Sequence, residues 1–87
     1  MRPRVLMYTK EICPYCTRAE ALLRAKGVED LEKIHIDGDD GLKERMIRET
    51  GRRTVPQIFI GDTHVGGYDD LAEMNRNGLL EPLLEKD

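Results

Sequence analysis

The sequence predicts an α/β fold, a four-stranded mixed sheet flanked by helices, and three observations carry that expectation. Short apolar runs alternate with helix-forming stretches in the order strand, helix, strand, helix, strand, strand, helix. The opening strand–helix–strand unit must lay its two strands parallel through a right-handed crossover. The last two strands are joined by a short loop and so run antiparallel. Size agrees with one domain, 1–87, built on a single core.

Val5 to Thr9 is a short apolar run bounded by charged residues and reads as a buried strand. From Glu11 to Lys26 the character changes. Ala19, Ala21, Leu22, Leu23 and Ala25 are good helix formers, with Arg18, Glu20, Arg24 and Lys26 among them. Pro14 suits a first helical turn, where a missing N–H costs nothing, and Gly27 is a natural stop. Leu31 to Ile36 places Ile34 and Ile36 on one strand face, before a solvated turn at Asp37 to Asp40. Leu42 to Thr50 carries Leu42, Met46 and Ile47 on one helical face and ends near Gly51. Gln57 to Ile60, Gly61-Asp62 and Thr63 to Val65 form a hairpin. Asp69 or Asp70 caps a helix that runs through Asn77, with Asp70 and Glu73 as a capping box and Gly78 as the stop. Leu79 to Leu84 is a short apolar helix with Pro82 near its start.

Composition narrows the function. Hydrophobic residues make up 39% and charged residues 36%, and 14 basic against 17 acidic side chains leave a net charge of −3. Disorder pairs low hydrophobicity with a large net charge, which this chain lacks. The slightly acidic balance argues against an electrostatic binder of nucleic acid or anionic membrane. Apolar runs such as Val5 to Tyr8 and Gln57 to Ile60 are far too short to span a bilayer. Met1-Arg2-Pro3-Arg4 leads straight into such a run with no signal-peptide core behind it. The expectation is a soluble, cytoplasmic monomer.

The two cysteines fall in one window, Cys13-Pro14-Tyr15-Cys16, between the first strand and the first helix. Residues three apart on a helix lie about 5–6 Å from each other, which fits the Cα spacing of a disulfide. Cys13 would sit at the helix N-terminus, where unpaired N–H groups and the dipole favour a thiolate. Lys10, just upstream, adds a cation. Cys16, one turn in, has the position of a resolving thiol. A structural disulfide closing so short a loop would constrain the unfolded chain little. A zinc site needs four ligands, and only the widely spaced His35 and His64 remain as nitrogen donors. Both histidines read as strand-surface residues, and no metal site is expected. Redox chemistry is the reading that fits.

Tyr8-Thr9-Lys10, Cys13-Pro14-Tyr15-Cys16, Thr54-Val55-Pro56 and Gly66-Gly67-Tyr68-Asp69-Asp70, in that order, resemble the dithiol glutaredoxins, and the small bacterial form most of all. The resemblance covers essentially the whole chain. It implies a thioredoxin-like fold, catalytic Cys13 and Cys16, and glutathione as co-substrate, with no permanently bound cofactor. It implies a cis Val55–Pro56 bond facing the cysteines, and glutathione lying along Thr54, Val55 and Pro56 like an added strand. The N–H groups after Gly67, at Tyr68 and beyond, would take the γ-glutamyl carboxylate, and Asp69 or Asp70 its ammonium group. Lys10 and Arg52 would meet the glycine carboxylate at the other end, while Arg53 faces water. Tyr15 would wall the thiol site. Implied protein partners are glutathionylated or disulfide-containing proteins, ribonucleotide reductase among the candidates. Two other functions compete: a redoxin that feeds ribonucleotide reductase and is recharged by thioredoxin reductase, and an iron–sulfur cluster-binding module.

Overall fold

The computed structural model describes residues 2–85; Met1, Lys86 and Asp87, at the ends of the expected 1–87 domain, lie outside the described residues. β1 (Val5–Thr9) pairs in parallel with β2 (Leu31–His35) on one side and antiparallel with β3 (Gln57–Ile60) on the other. β4 (Thr63–Gly66) closes the order β2-β1-β3-β4, antiparallel to β3. Phe59 faces His64 and Ile58 faces Gly66, so Val65 is an extra residue that bends the strand just before its end.

Side-chain alternation along β1 splits the interior between two faces of the sheet. Val5 and Met7, with Ile58 and Ile60, pack under α1 (Pro14–Ala25), α3 (Tyr68–Arg76) and α4 (Leu80–Glu85) through Ala19, Leu23, Leu71, Leu80 and Leu84. Tyr8 turns the other way and meets Ile36 and Met46 of α2 (Asp40–Thr50), with Leu6 and Phe59 partly buried beside them. Leu23 and Leu71 are fully buried. Each stabilises the fold by about 1.5–3 kcal/mol relative to leaving the side chain in water. On the α2 side the Tyr8 hydroxyl donates to the Glu49 carboxylate. Burial first, then that neighbour, pushes the Tyr8 pKa up to about 12.

Two helix starts differ from the sequence expectation, each for a local reason, while the first agrees with it. α1 begins at Pro14, as a proline suited to the first turn predicts, and Cys13 takes the N-cap in an extended conformation (φ −153°, ψ 99°). α2 begins at Asp40 rather than Leu42, because the Asp39 carboxylate accepts from the Leu42 N–H at 3.0 Å. The expected solvated turn at Asp37 to Asp40 is therefore partly a helix cap. α3 begins at Tyr68, which places Asp69 and Asp70 inside its first turn instead of at the cap. Gly67 is the N-cap, and the Asp70 carboxylate reaches back to accept its N–H at 2.9 Å. At the far end of α2, Gly51 adopts the left-handed conformation (φ 71°) that lets its N–H close on Ile47.

Candidate active site

The carboxyl end of β1 delivers the chain through exposed Lys10, Glu11 and Ile12 to the tip of α1. Ile12 is 91% exposed. Cys13 and Cys16 are joined as a disulfide across one helical turn, with Cα atoms 5.2 Å apart. The Cys13 sulfur accepts from the Cys16 N–H at 3.2 Å, so the cysteine caps its own helix where Ser or Asp would ordinarily stand. A sulfur at this place meets the positive end of the helix dipole. Pro14 has no N–H to offer, and the Cys16 N–H is the donor that meets the sulfur. Cys13 is partly exposed and Cys16 only 4% exposed.

Opposite this tip stands a wall made from two separated segments. The loop before β3 carries Thr54 and Val55, and the Val55–Pro56 peptide bond is cis. The Val55 carbonyl oxygen lies 3.9 Å from the Cys13 sulfur. The second segment is the start of α3, where Tyr68 lies 6.1 Å, centroid to centroid, from the Tyr15 ring. The Arg18 guanidinium sits 5.4 Å from the Tyr15 centroid and extends that aromatic contact along α1. Behind Tyr68, the first N–H groups of α3 lack intrahelical acceptors, as at any helix start.

An ion pair binds the two segments together. Arg52 Nη1 donates to Asp70 Oδ2 at 2.8 Å, and the same oxygen accepts from the Gly67 N–H. The guanidinium first, and then that N–H, hold the Asp70 carboxyl below the usual carboxylate range. Gly66, at φ 114°, adopts a backbone that side chains rarely take, and a Cβ there would run into this carboxylate. Arg52 and Asp70 therefore lie together, although the resemblance had assigned them to opposite ends of a ligand. Lys10, Arg53 and Asp69 are exposed.

Two further residues, Gln57 and His64, brace this wall. Gln57 is completely buried, and its Nε2 donates to the Thr54 carbonyl at 3.0 Å. Its Oε1 meets His64 Nε2 at 2.8 Å. His64 is thus half-buried and bonded to the wall, in contrast to the expected strand-surface residue, and its ring packs 4.9 Å from that of Phe59. Burial, then the Arg52 charge, lower its pKa, while Asp70 acts in the opposite sense. The available signal was a glutamine standing alone in the apolar run Pro56-Gln57-Ile58-Phe59-Ile60.

A reversible cysteine pair at a helix tip, set after the first strand of this sheet, defines a thiol–disulfide oxidoreductase of the thioredoxin-like fold. Comparison with known proteins makes the class specific. Residues 5–65 match the glutaredoxin family model. The chain is 53% identical to Escherichia coli glutaredoxin 3 over 81 residues, 93% of this chain and 96% of that protein. It superposes on the buckwheat glutaredoxin–glutathione complex with a TM-score of 0.86 at 34% identity, covering 94% of this chain and 76% of that one. The solution structure of glutaredoxin from Brucella melitensis gives a TM-score of 0.84 at 45% identity, covering 97% and 90%. The chain belongs to the glutaredoxin family, the glutathione-dependent oxidoreductases.

Proposed function

We propose that the chain reduces glutathione mixed disulfides and protein disulfides through Cys13, with Cys16 as the resolving thiol. One observation carries this reading: Cys13 caps α1 with its own sulfur and is partly exposed, while Cys16 is buried one turn below. With a glutathionylated protein, the Cys13 thiolate attacks the glutathione sulfur and releases the protein thiolate, which takes up a proton. A second glutathione thiolate attacks the glutathione sulfur of the Cys13 adduct. Oxidised glutathione leaves and the Cys13 thiolate returns. With a protein disulfide, Cys13 attacks one sulfur and frees the other. The Cys16 thiolate then attacks Cys13, releases the substrate as a dithiol, and leaves the Cys13–Cys16 bridge. Two glutathiones reduce that bridge and are themselves oxidised.

The wall supplies orientation, which turns a slow bimolecular exchange into a fast one. Glutathione lies extended along Thr54, Val55 and Pro56, its cysteine sulfur towards Cys13. Its γ-glutamyl carboxylate meets the N–H groups at the start of α3, from Tyr68 to Asp70, and its ammonium meets Asp69 or Asp70. Lys10 takes the glycine carboxylate. Arg52 engages Asp70 through Nη1 alone, which leaves its other donors for the ligand. Tyr15 and Tyr68 wall the thiol site. The existence of a glutathione complex of the structurally similar buckwheat protein supports this pose. Protein partners are glutathionylated or disulfide-containing proteins. A cycle that consumes reduced glutathione belongs in a reducing compartment, the cytoplasm. No helix among the described residues is long and apolar enough to cross a membrane.

Following NADPH consumption tests the reading. Turnover is expected with glutathione plus glutathione reductase; turnover with thioredoxin reductase alone would point to a redoxin instead.

A further inference from the structure

We infer that Gln57 and His64 are positioning residues that aim the Val55 N–H at the incoming glutathione. The inference rests on the glutathione pose proposed above and adds two residues to it. The Thr54 carbonyl can only accept, so the Gln57 NH2 must face it at 3.0 Å. That leaves Gln57 Oε1 towards His64, and His64 must donate through Nε2–H at 2.8 Å. The direction of every hydrogen in the chain His64–Gln57–Thr54 is therefore fixed by one obligate acceptor.

The consequence falls on the next peptide unit. Thr54 C=O and Val55 N–H belong to one planar trans peptide and point in opposite directions. Gln57 is fully buried and draws the Thr54 carbonyl inward, so the Val55 N–H is turned outward. The Val55 carbonyl, on the following unit, stands 3.9 Å from the Cys13 sulfur. An added strand pairs through both groups of Val55, and the buried amide determines whether its N–H is presented. Thr54 Oγ1, 3.4 Å from Gln57 Nε2, gives the same amide a second acceptor in the loop. His64 rests against Phe59 and comes from β4, so the hairpin as a whole braces the loop.

The test compares one peptide carrying a mixed disulfide either with glutathione or with 2-mercaptoethanol, which has no amine, amide or carboxylate to pair along Val55. Release of the peptide thiol by reduced protein is followed in single turnover, with thermal melts alongside. Wild type reacts faster with the glutathionylated peptide. Gln57→Met and His64→Phe are expected to slow that reaction roughly three- to tenfold, the scale of one hydrogen bond well or badly made. The mercaptoethanol-modified peptide is expected to react at the wild-type rate in both variants. His64→Gln, which restores an amide donor, recovers the preference. A lowered Tm with the preference intact, or equal slowing on both peptides, would show a merely structural role and overturn the inference. If Gln57→Met does not fold, His64→Phe at its half-buried site decides the matter alone. Wild type without any preference overturns the glutathione pose and this inference together, whereas loss confined to the inference leaves the wild-type preference standing.

Discussion

The helix tip that carries the cysteines and the wall that faces it are held in opposite ways. The tip is local: four consecutive residues, one proline and a sulfur that bonds its own helix. The wall is assembled over distance, with Arg52 reaching Asp70 and Gln57 reaching Thr54 and His64. The contrast separates two tasks. Sulfur chemistry needs only a thiolate at a helix start and a second thiol one turn away. In the proposed pose, recognising the tripeptide needs donors and acceptors held on a rigid frame, a task suited to side-chain hydrogen bonds between segments.

Breaking the tip has the largest expected effect. Cys13→Ser removes the attacking sulfur and should abolish turnover on both glutathione mixed disulfides and protein disulfides, measured with one substrate of each kind. Breaking the wall should act more gently and on a different parameter. Asp70→Asn keeps an oxygen for the Gly67 N–H but loses the charge that faces Arg52. The expected result is a KM for glutathione raised roughly three- to tenfold with kcat little changed, the pattern of lost binding.

Acid should reach the wall as well. The Asp70 pKa is held down in the folded chain by Arg52 and the Gly67 N–H, so its contribution is complete above the usual carboxylate range. That contribution disappears as pH falls through the lowered folded value, because protonation there removes the charge that Arg52 binds. His64 runs in the same direction: its pKa is lowered, so the fold favours the neutral ring and loses that preference as pH drops. Denaturant titrations across acid pH should show wild type losing stability over a range where Asp70→Asn changes less. The smallest effect is expected away from both regions. Tyr8→Phe deletes the hydroxyl that donates to Glu49 on the α2 face and should cost about 0.5–1.5 kcal/mol in a denaturant melt, with turnover unchanged.

Legibility in the sequence follows the same division. The tip could be read because its signals are contiguous: an apolar strand, a cysteine pair at helical spacing, Pro14 for the first turn and Gly27 for the stop. The succession of elements and the hairpin were legible for the same reason, through alternation and short connections. Helix starts were less so. Asp37 to Asp40 looks like a turn because the first residues of α2 are polar and carry no apolar period. Asp69 and Asp70 look like caps, yet an acid at the third helical position can reach back and leave the cap to Gly67. The wall was least legible. Motifs name Thr54, Val55 and Asp70, but nothing in one dimension says that Arg52 meets Asp70, or that a buried glutamine spans a loop and a histidine. Such contacts exist only once β3, β4 and α3 are placed side by side.

Cys16→Ser tests the division of labour between the two cysteines most directly. Its rates are measured on a glutathionylated protein and on a protein with an internal disulfide. Cys13 as nucleophile and Cys16 as resolver predict that the first activity is kept and most of the second is lost. Equal loss of both would contradict the assignment.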